Sequence, residues 1–523
     1  TFQHRSIKEY GYIGKGLDTC NQDRFERYWV EVNFERISLD NNSKVKSNFL
    51  KWYPFSKGGG FRKWYGNYWN IVNWENEGYE IRNYRNKDGS LKSRPQNIDK
   101  YFIDSITWSS ISSSNLGARI LEKAIFGNGS ALFLSNKYIL NRYYFLGLLN
   151  SKVSMEYLAF FSPTLSFNAG DLSKIPVIFA SETTRKNIDK LVSNNVFITR
   201  LDWNSFETSW DFQRHPLLTH KGHATTIESA FKNWSDFAEK QFYQLKANEE
   251  ELNRIFIEIY GLENELTPEV EEKDVTVSKA DRERDIKSFI SYAVGCMFGR
   301  YSLEEDGLIF AGGEGEDIII PIADDDYFEE DILERFIDFV KTTFGEENLE
   351  GNLDYIAKTL GIRTRETSRG AIRRYFLKDF YKDHVRTYKK RPIYWLFDSG
   401  RQDGFKALIY MHRYNPDTIA KVRIDYLHEL QKKYEGEIKH LDIIIDSDIS
   451  TREKNQAKKK KEKLTKQILE CREYDQAMNH MASRRIDIDL DDGVKVNYGK
   501  FQGIKIPRGE GQKPLKINLL AKI

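Results

Sequence analysis

Cysteine is scarce in this 523-residue chain: Cys20, Cys296 and Cys471 are its only three, they lie far apart, and no two form a CxxC pair. That usage fits a reducing, cytoplasmic compartment and argues against disulfides and against a cysteine zinc site. No apolar run reaches the length of about 18 residues that a bilayer requires, so no membrane segment is expected. The opening residues, TFQHRSIKEY, include neither an apolar signal core nor an initiator Met, which reads as a piece of something longer. Net charge is small as well, at +2. With 40% hydrophobic and 30% charged residues the composition is that of a soluble globular protein, and the length predicts about three to four domains.

The small net charge conceals segregation. Residues 44–94 hold eleven Lys/Arg against four Asp/Glu, and residues 355–395 hold twelve against three. Residues 302–354 carry eighteen acidic side chains and only two basic ones, Arg335 and Lys341, which would repel a polyanion. Two basic islands are the electrostatic footprint to weigh, against the plainer reading of each as a solvated face.

The pattern predicts a multidomain α+β protein in four segments. Residues 1–215 are aromatic, Asn/Ser-rich and broken by turns, with strand-like runs such as YWNIVNW and ITWSSIS, and read as a mixed α/β recognition-type domain. Within it one helix is predicted over Tyr144–Phe161, followed by a strand at Ile175–Ile178. Residues 216–300 read as a helical spacer, with a long amphipathic helix over Thr226–Tyr260 stopped by Gly261. Residues 301–412 read as a small mixed domain, with two short strands around the acidic turn of GLIFAGGEGEDIIIP. Its second part, DYIAKTLGIRTRETSRGAIRRYFLKDF, has the outline of a helix-turn-helix that would put Arg369, Arg373 and Arg374 on a recognition-type helix; a plain helical bundle has the same outline. Residues 413–523 predict a long antiparallel helical hairpin, with DSDIST as turn and cap, and a tail.

Catalytic parts are missing. All eleven prolines are isolated, which excludes an Asn-Pro-Pro-Tyr loop of the kind that grips a flipped base. FGNGS (Phe126–Ser130) precedes a strand-like ALFL and reads as a turn. The acidic AGGEGED would repel phosphate, and His215, His220 and His223 lack the carboxylate of an HExxH site, so no metal is expected. Asp324–Asp326 stand among further acids without an adjacent lysine to activate water.

What is present is FSKGGGFRKWYGNYWNIVNW, Phe55–Trp74, a triple glycine inside aromatics and cations. Flat rings beside ammonium and guanidinium groups suit a surface that meets phosphates and bases. A half-buried turn between paired strands is the alternative. On the first reading Lys57, Arg62 and Lys63 meet phosphates or guanine edges beside Trp64 and Tyr65, Arg82, Arg85, Lys92 and Arg94 extend the face, and Asn67 and Gln96 are candidate adenine readers.

GKGLDTCNQDRFERYWVEV (Gly14–Val32), FSKGGGFRKWYGN, GSLKSRPQNIDKYF with ITWSSISS, SWDFQRHPLL (Ser209–Leu218), KRPIYWLFDSG with GFKALIYMHRYNPDTIAKVRIDYLHELQ, and IDLDDGVKVNYGKFQ (Ile488–Gln502) together resemble the C-terminal half of PglX, the adenine-specific DNA methyltransferase family of BREX phage-defence systems. The resemblance runs from one end of the chain to the other. It implies a DNA target-recognition and scaffold half, with double-stranded DNA and the family's own methyltransferase domain as partners, beside other BREX components. It places S-adenosylmethionine and its Rossmann-like domain upstream of this chain, which then has no cofactor and no catalytic residues of its own. A protein-interaction scaffold without DNA specificity is the alternative. The family pattern Thr-Gly-Asx before Asp-Arg-Phe is replaced here by Thr19, Cys20, Asn21 and Gln22.

Overall fold

A computed structural model describes residues 4–39, 49–111, 115–127, 129, 131–161, 166–312, 315–316, 318–507 and 513–523. Asn128 and Ser130 of the FGNGS turn, Gly313, Glu314 and Asp317 of the acidic turn, and Lys44 and Lys46 of the first basic island lie outside the described residues. The chain forms mixed α+β structure in two compact units. One comprises residues 1–29, 34–216 and 232–281, the other residues 30–33, 217–231 and 282–523.

Among the described residues, ten short strands belong to the first unit: β1 (Gly11–Gly14), β2 (Leu17–Asp18), β3 (Glu26–Tyr28), β4 (Trp52–Ser56), β5 (Asn70–Asn73), β6 (Arg94–Pro95), β7 (Ser105–Trp108), β8 (Ala118–Leu121), β9 (Ile125–Phe126) and β10 (Ala131–Leu134). They build one sheet of order β1-β10-β7-β8, a second of order β3-β5-β4-β9, and the small pair β2-β6. Pairing among these strands is antiparallel except between β4 and β9. Every residue of β7 and β8 is buried, including the polar Ser105, Thr107 and Arg119.

The predicted single helix over 144–161 is two, Arg142–Asn150 and Lys152–Phe161, separated by Ser151 in an extended conformation (ψ 157°). Side-chain bonds stabilise the break. Asn150 accepts from the Ala118 N–H at 2.9 Å and donates to the Ala118 carbonyl at 3.0 Å, extending the edge of β8 as a strand would. Asn253 takes the Lys152 N–H at 2.9 Å. The predicted strand at Ile175–Ile178 is a single bridge, Pro176 to Ser6. The long helix is present as Ile227–Tyr260, and Gly261 (φ +64°) ends it with the Leu262 N–H on the Ile257 carbonyl at 3.0 Å.

In the second unit β11 (Ile319–Ile322), β12 (Tyr394–Asp398) and β13 (Lys406–Tyr410) form an antiparallel sheet of order β11-β13-β12. A two-stranded pair, β14 (Ile504–Ile506) and β15 (Leu515–Ile517), lies near the chain's end. Only one of the two strands predicted around the acidic turn is present, β11. Helices Arg282–Met297, Ile332–Phe344, Leu349–Thr359, Ser368–Lys378 and Phe380–Thr387 precede the sheet's β12 in sequence. Beyond it, His428–Asp446 and Thr451–Ala482 are the two longest helices of this unit, the second opened by a Ser450/Glu453 capping box. Arg472 pairs with Glu435 at 3.1 Å and Lys460 with Glu437 at 2.9 Å between them.

The second unit's core encloses Arg300, which is fully buried. Its guanidinium donates to the hydroxyls of Tyr410 (2.7 Å) and Tyr301 (3.2 Å). His384 accepts the Ile393 and Tyr394 N–H groups at Nε2 (3.1 and 3.0 Å), and His412 donates Nε2–H to the Val32 carbonyl at 3.0 Å. Burial first, and the Arg300 charge second, push both imidazoles down to about 3. Both are neutral when folded, whereas in the unfolded chain they take up protons below pH of about 6.5. Acidification from that pH therefore loads the unfolded state, and stability should fall by up to about 3 kcal/mol per pH unit until about pH 3. Urea unfolding of the second unit's tryptophan signal at pH 7.5, 6 and 5 checks this; a midpoint unchanged over that range contradicts it.

Candidate nucleic-acid interface

The aromatic and glycine-rich stretch turns inward. β4 and β5 are paired strands, and residues 57–69 between them fold down onto the helices Glu182–Asn204 and Ile227–Tyr260. Gly58 (φ +93°) and Gly59 (φ +144°) turn the chain at a backbone conformation that side chains disfavour. A Cβ at Gly59 would stand 2.7 Å from the Asn67 amide. Asn67 in turn donates to the Gly60 carbonyl at 3.0 Å, so it fastens the loop. Trp64 joins β8 as a bridge, its N–H on the Ala118 carbonyl (2.8 Å) and its carbonyl accepting from the Ile120 N–H (2.9 Å).

Glu249, 4% exposed, is the anchor. It accepts from the Trp64 indole at 2.7 Å and pairs with the Lys63 ammonium, itself 6% exposed. Arg62 pairs with Asp202 at 2.7 Å, donates to the Thr199 and Tyr65 carbonyls, and lies 5.0 Å over the Trp203 ring. Tyr65 is buried beneath Arg200. Lys57 pairs with Glu26 at 2.5 Å. Arg62, Lys63, Trp64 and Tyr65, expected at a ligand-facing surface, are thus held in contacts inside the unit. Each cation has a carboxylate in reach, and desolvating it there costs less than leaving that carboxylate alone.

The three arginines of the predicted recognition helix are likewise committed within their own unit. Arg369 makes a bidentate pair with Glu350 (2.7 Å each), Arg373 bridges Asp326 and Asp331, and Arg374 binds Glu366 at 2.8 and 2.9 Å. Arg374 holds the Glu366 carboxyl down at about 2. Eight residues, Leu360–Thr367, separate the two helices, longer than the three- or four-residue turn of the DNA-binding motif. Asp324 is occupied by Lys463 and Gln467, and Asp325 by Lys460. Among the described residues no group of three His, Cys, Asp or Glu is arranged to hold a metal ion, and no helix is long and apolar enough to cross a membrane.

Cations do gather on one exposed surface of the first unit, on two segments tied to each other. β2 pairs with β6, setting Asp18 opposite Arg94. Asn97 donates to the Lys15 carbonyl at 2.8 Å and accepts from the Tyr12 hydroxyl at 2.9 Å. Tyr84 receives hydrogen bonds from Asn21 (3.1 Å) and Lys92 (3.2 Å), which lower its phenol pKa, with Arg24 5.4 Å over its ring. A tight turn at Asn86–Ser90, with Gly89 at φ +84°, presents Arg85 and Lys87. Lys15, Arg82, Arg85, Lys87, Lys92 and Arg94 are exposed, and none forms an ion pair among the described residues. Gln96 is exposed beside them. Residues 82–94 hold five cations against one carboxylate, Asp88, which is engaged by Ser90 at 2.6 Å.

Sequence reasoning missed Lys15, Arg24 and Lys87, and Tyr84 as the group that organises them. Asn21 and Tyr84 lie 63 positions apart and meet through tertiary contacts, the β2–β6 pair and the packing of Phe25 on Tyr84 among them.

No family model matches the chain. It is 43% identical over 508 residues to the adenine-specific methyltransferase PglX of Lacticaseibacillus casei (strain Zhang) and 37% identical over 528 residues to the adenine-specific methyltransferase BrxX of Escherichia coli O9:H4 (strain HS). Each match covers 93% of this chain, and the chain spans 42% of the length of each relative. The chain therefore matches one part of each of these two longer adenine-specific methyltransferases.

Removing the anchor tests the internal role of the loop. Glu249→Ala should cost about 3–5 kcal/mol, because it strands the buried Lys63 charge and the Trp64 N–H together. The double change Lys63→Met with Glu249→Leu should recover most of that loss in denaturant unfolding.

Proposed function

We propose that this chain is the DNA-sequence-recognition part of an adenine-specific DNA methyltransferase of a BREX phage-defence system, acting in the cytoplasm on double-stranded DNA. The observation that carries the proposal is the surface held together by the β2-β6 pair and Tyr84, where six exposed cations lack internal counter-ions among the described residues. Phosphates would supply those counter-ions, and exposed Gln96 stands where a base edge could be read. Arg82, Arg85, Lys92, Arg94 and Gln96 remain in the proposed interface, whereas Lys57 is paired with Glu26 and Asn67 fastens its own loop. The similarity to adenine-specific methyltransferases over 93% of the chain favours DNA over other polyanions.

On this proposal, binding of S-adenosylmethionine and transfer of its methyl group to the exocyclic amine of adenine belong to the part of the longer relatives that this chain does not match. The small and largely antiparallel sheets here support that division of labour. The helices His428–Asp446 and Thr451–Ala482 would act as an antiparallel brace for assembly with the methyltransferase domain or other BREX components.

A second reading, a scaffold that docks a basic partner, is favoured by a cleft of about 390 Å³ in the second unit, lined by Glu329, Glu330, Glu334 and Asp338. Burial and the neighbouring Asp331 and Asp326 raise the Glu334 pKa, so a cation placed there would be welcomed. If this reading holds, Glu329→Gln, Glu330→Gln and Asp338→Asn together release the system's other proteins in co-purification while DNA binding persists.

A band-shift titration over a salt series tests the main proposal. Binding should weaken steeply with salt, and Arg82→Ala with Arg94→Ala should lower the slope of log K against log salt by about 2. Lys63→Met, which alters a buried pair, should leave the slope unchanged. Affinity indifferent to salt and to Arg82 and Arg94 overturns the proposal.

A further inference from the structure

The helices Glu182–Asn204 and Ile227–Tyr260 leave a groove of about 870 Å³ between them in the first unit that no interaction described above uses. Lys190, Asn194 and Phe197 line one wall, and Lys240, Gln241 and Gln244 the other. Two stripes of identical spacing face the groove or its continuation: 190, 194, 197 and 201 on one helix, and 237, 241, 244 and 248 on the other. Steps of four, three and four keep each stripe on one helical face for about three turns.

Phe197 is 58% exposed and Leu201 37%, an unusual outlay of apolar surface on neighbouring turns. The floor, at Ile198, continues into an apolar slot walled by Trp234 and Phe237. The polar side is already set. Gln244 donates to Asn248 at 2.9 Å, and Asn248 donates to Asn194 and Asn195 at 2.8 and 2.9 Å. Behind it Asn195 is fully buried, with its Nδ2 lacking a hydrogen-bond partner among the described residues. Two lysines and no carboxylate line the groove itself, and neither lysine forms an ion pair among the described residues; the one carboxylate of the adjoining slot, Asp202, is paired with Arg62.

We propose that this groove docks an amphipathic α-helix of a partner polypeptide whose apolar stripe is flanked by carboxylates. A third helix laid between two stripes of this spacing packs ridge into groove, covers Phe197 and Leu201, and brings its flanking carboxylates to Lys190 and Lys240. The absence of acidic lining disfavours a neutral or basic helix less by clash than by leaving both ammonium groups without partners. The inference stands apart from the DNA-binding proposal, since Arg82 and Arg94 are not part of the groove.

The test uses the whole chain and two fluorescein-labelled peptides of about 18 residues, long enough for helix formation on a surface. They share one leucine stripe and differ only in having Glu or Lys at the flanks. Fluorescence anisotropy should show the Glu-flanked peptide binding at least about tenfold more tightly, a difference large enough to resolve. Lys190→Glu with Lys240→Glu should invert the preference, an outcome that a misfolded variant cannot produce, and Phe197→Asp should weaken both peptides. Failure of both peptides to bind, or a preference untouched by the charge reversal, overturns the proposal. So does displacement of the peptide by a single-stranded oligonucleotide, or self-association in sedimentation velocity that Phe197→Asp abolishes, which would assign the groove to nucleic acid or to a second copy.

Discussion

One buried carboxylate organises the first unit. Glu249 reaches out of a long helix to take an ammonium from Lys63 and an indole N–H from Trp64, neighbours on a loop between two strands. An isolated carboxylate in that place would be prohibitively costly, and two donors from one short segment meet the cost while fixing the loop's height and rotation. Trp64 accepts a left-handed backbone (φ +71°), a strain of about 1–2 kcal/mol, to complete the arrangement. Arg62 repeats the theme at Asp202, whose other oxygen takes the Ser278 N–H at 2.9 Å. Loop, helices and the segment near 276–278 are thereby one hydrogen-bonded assembly.

The composition of the loop was legible, but its direction was not. Aromatics interleaved with cations have two physical solutions: stacking against an outside ligand, or cation–π and ion-pair contacts inside the fold. Which one holds depends on acids far away in sequence, Asp202 and Glu249, whose positions no local pattern reveals. The same blindness affected Arg369, Arg373 and Arg374, whose partners Glu350, Asp326, Asp331 and Glu366 belong in part to the acidic stretch that seemed a separate surface. Opposite charge blocks that look segregated along the chain neutralise each other in the second unit.

Elements with a strong local cause were readable. The helix ending at Tyr260 has its glycine stop, and the helix starting at Thr451 its serine cap. The helix that broke at Ser151 had unbroken apolar periodicity, and its interruption comes from Asn150 bonding to β8, a tertiary event. Cys20 is instructive in another way. It adopts φ +51°, a left-handed backbone that side chains disfavour and that no local pattern announced.

The turn at Asn86–Ser90 satisfies its own hydrogen bonds, with Asn86 closing on Ser90 and Asp88 on the same residue, and draws little on the core behind it. Its side chains can therefore change without disturbing the scaffold. Natural variation could exchange a handful of surface letters there, in the way a key is recut on an unchanged blank, while the tryptophan-lined interior stays as it is.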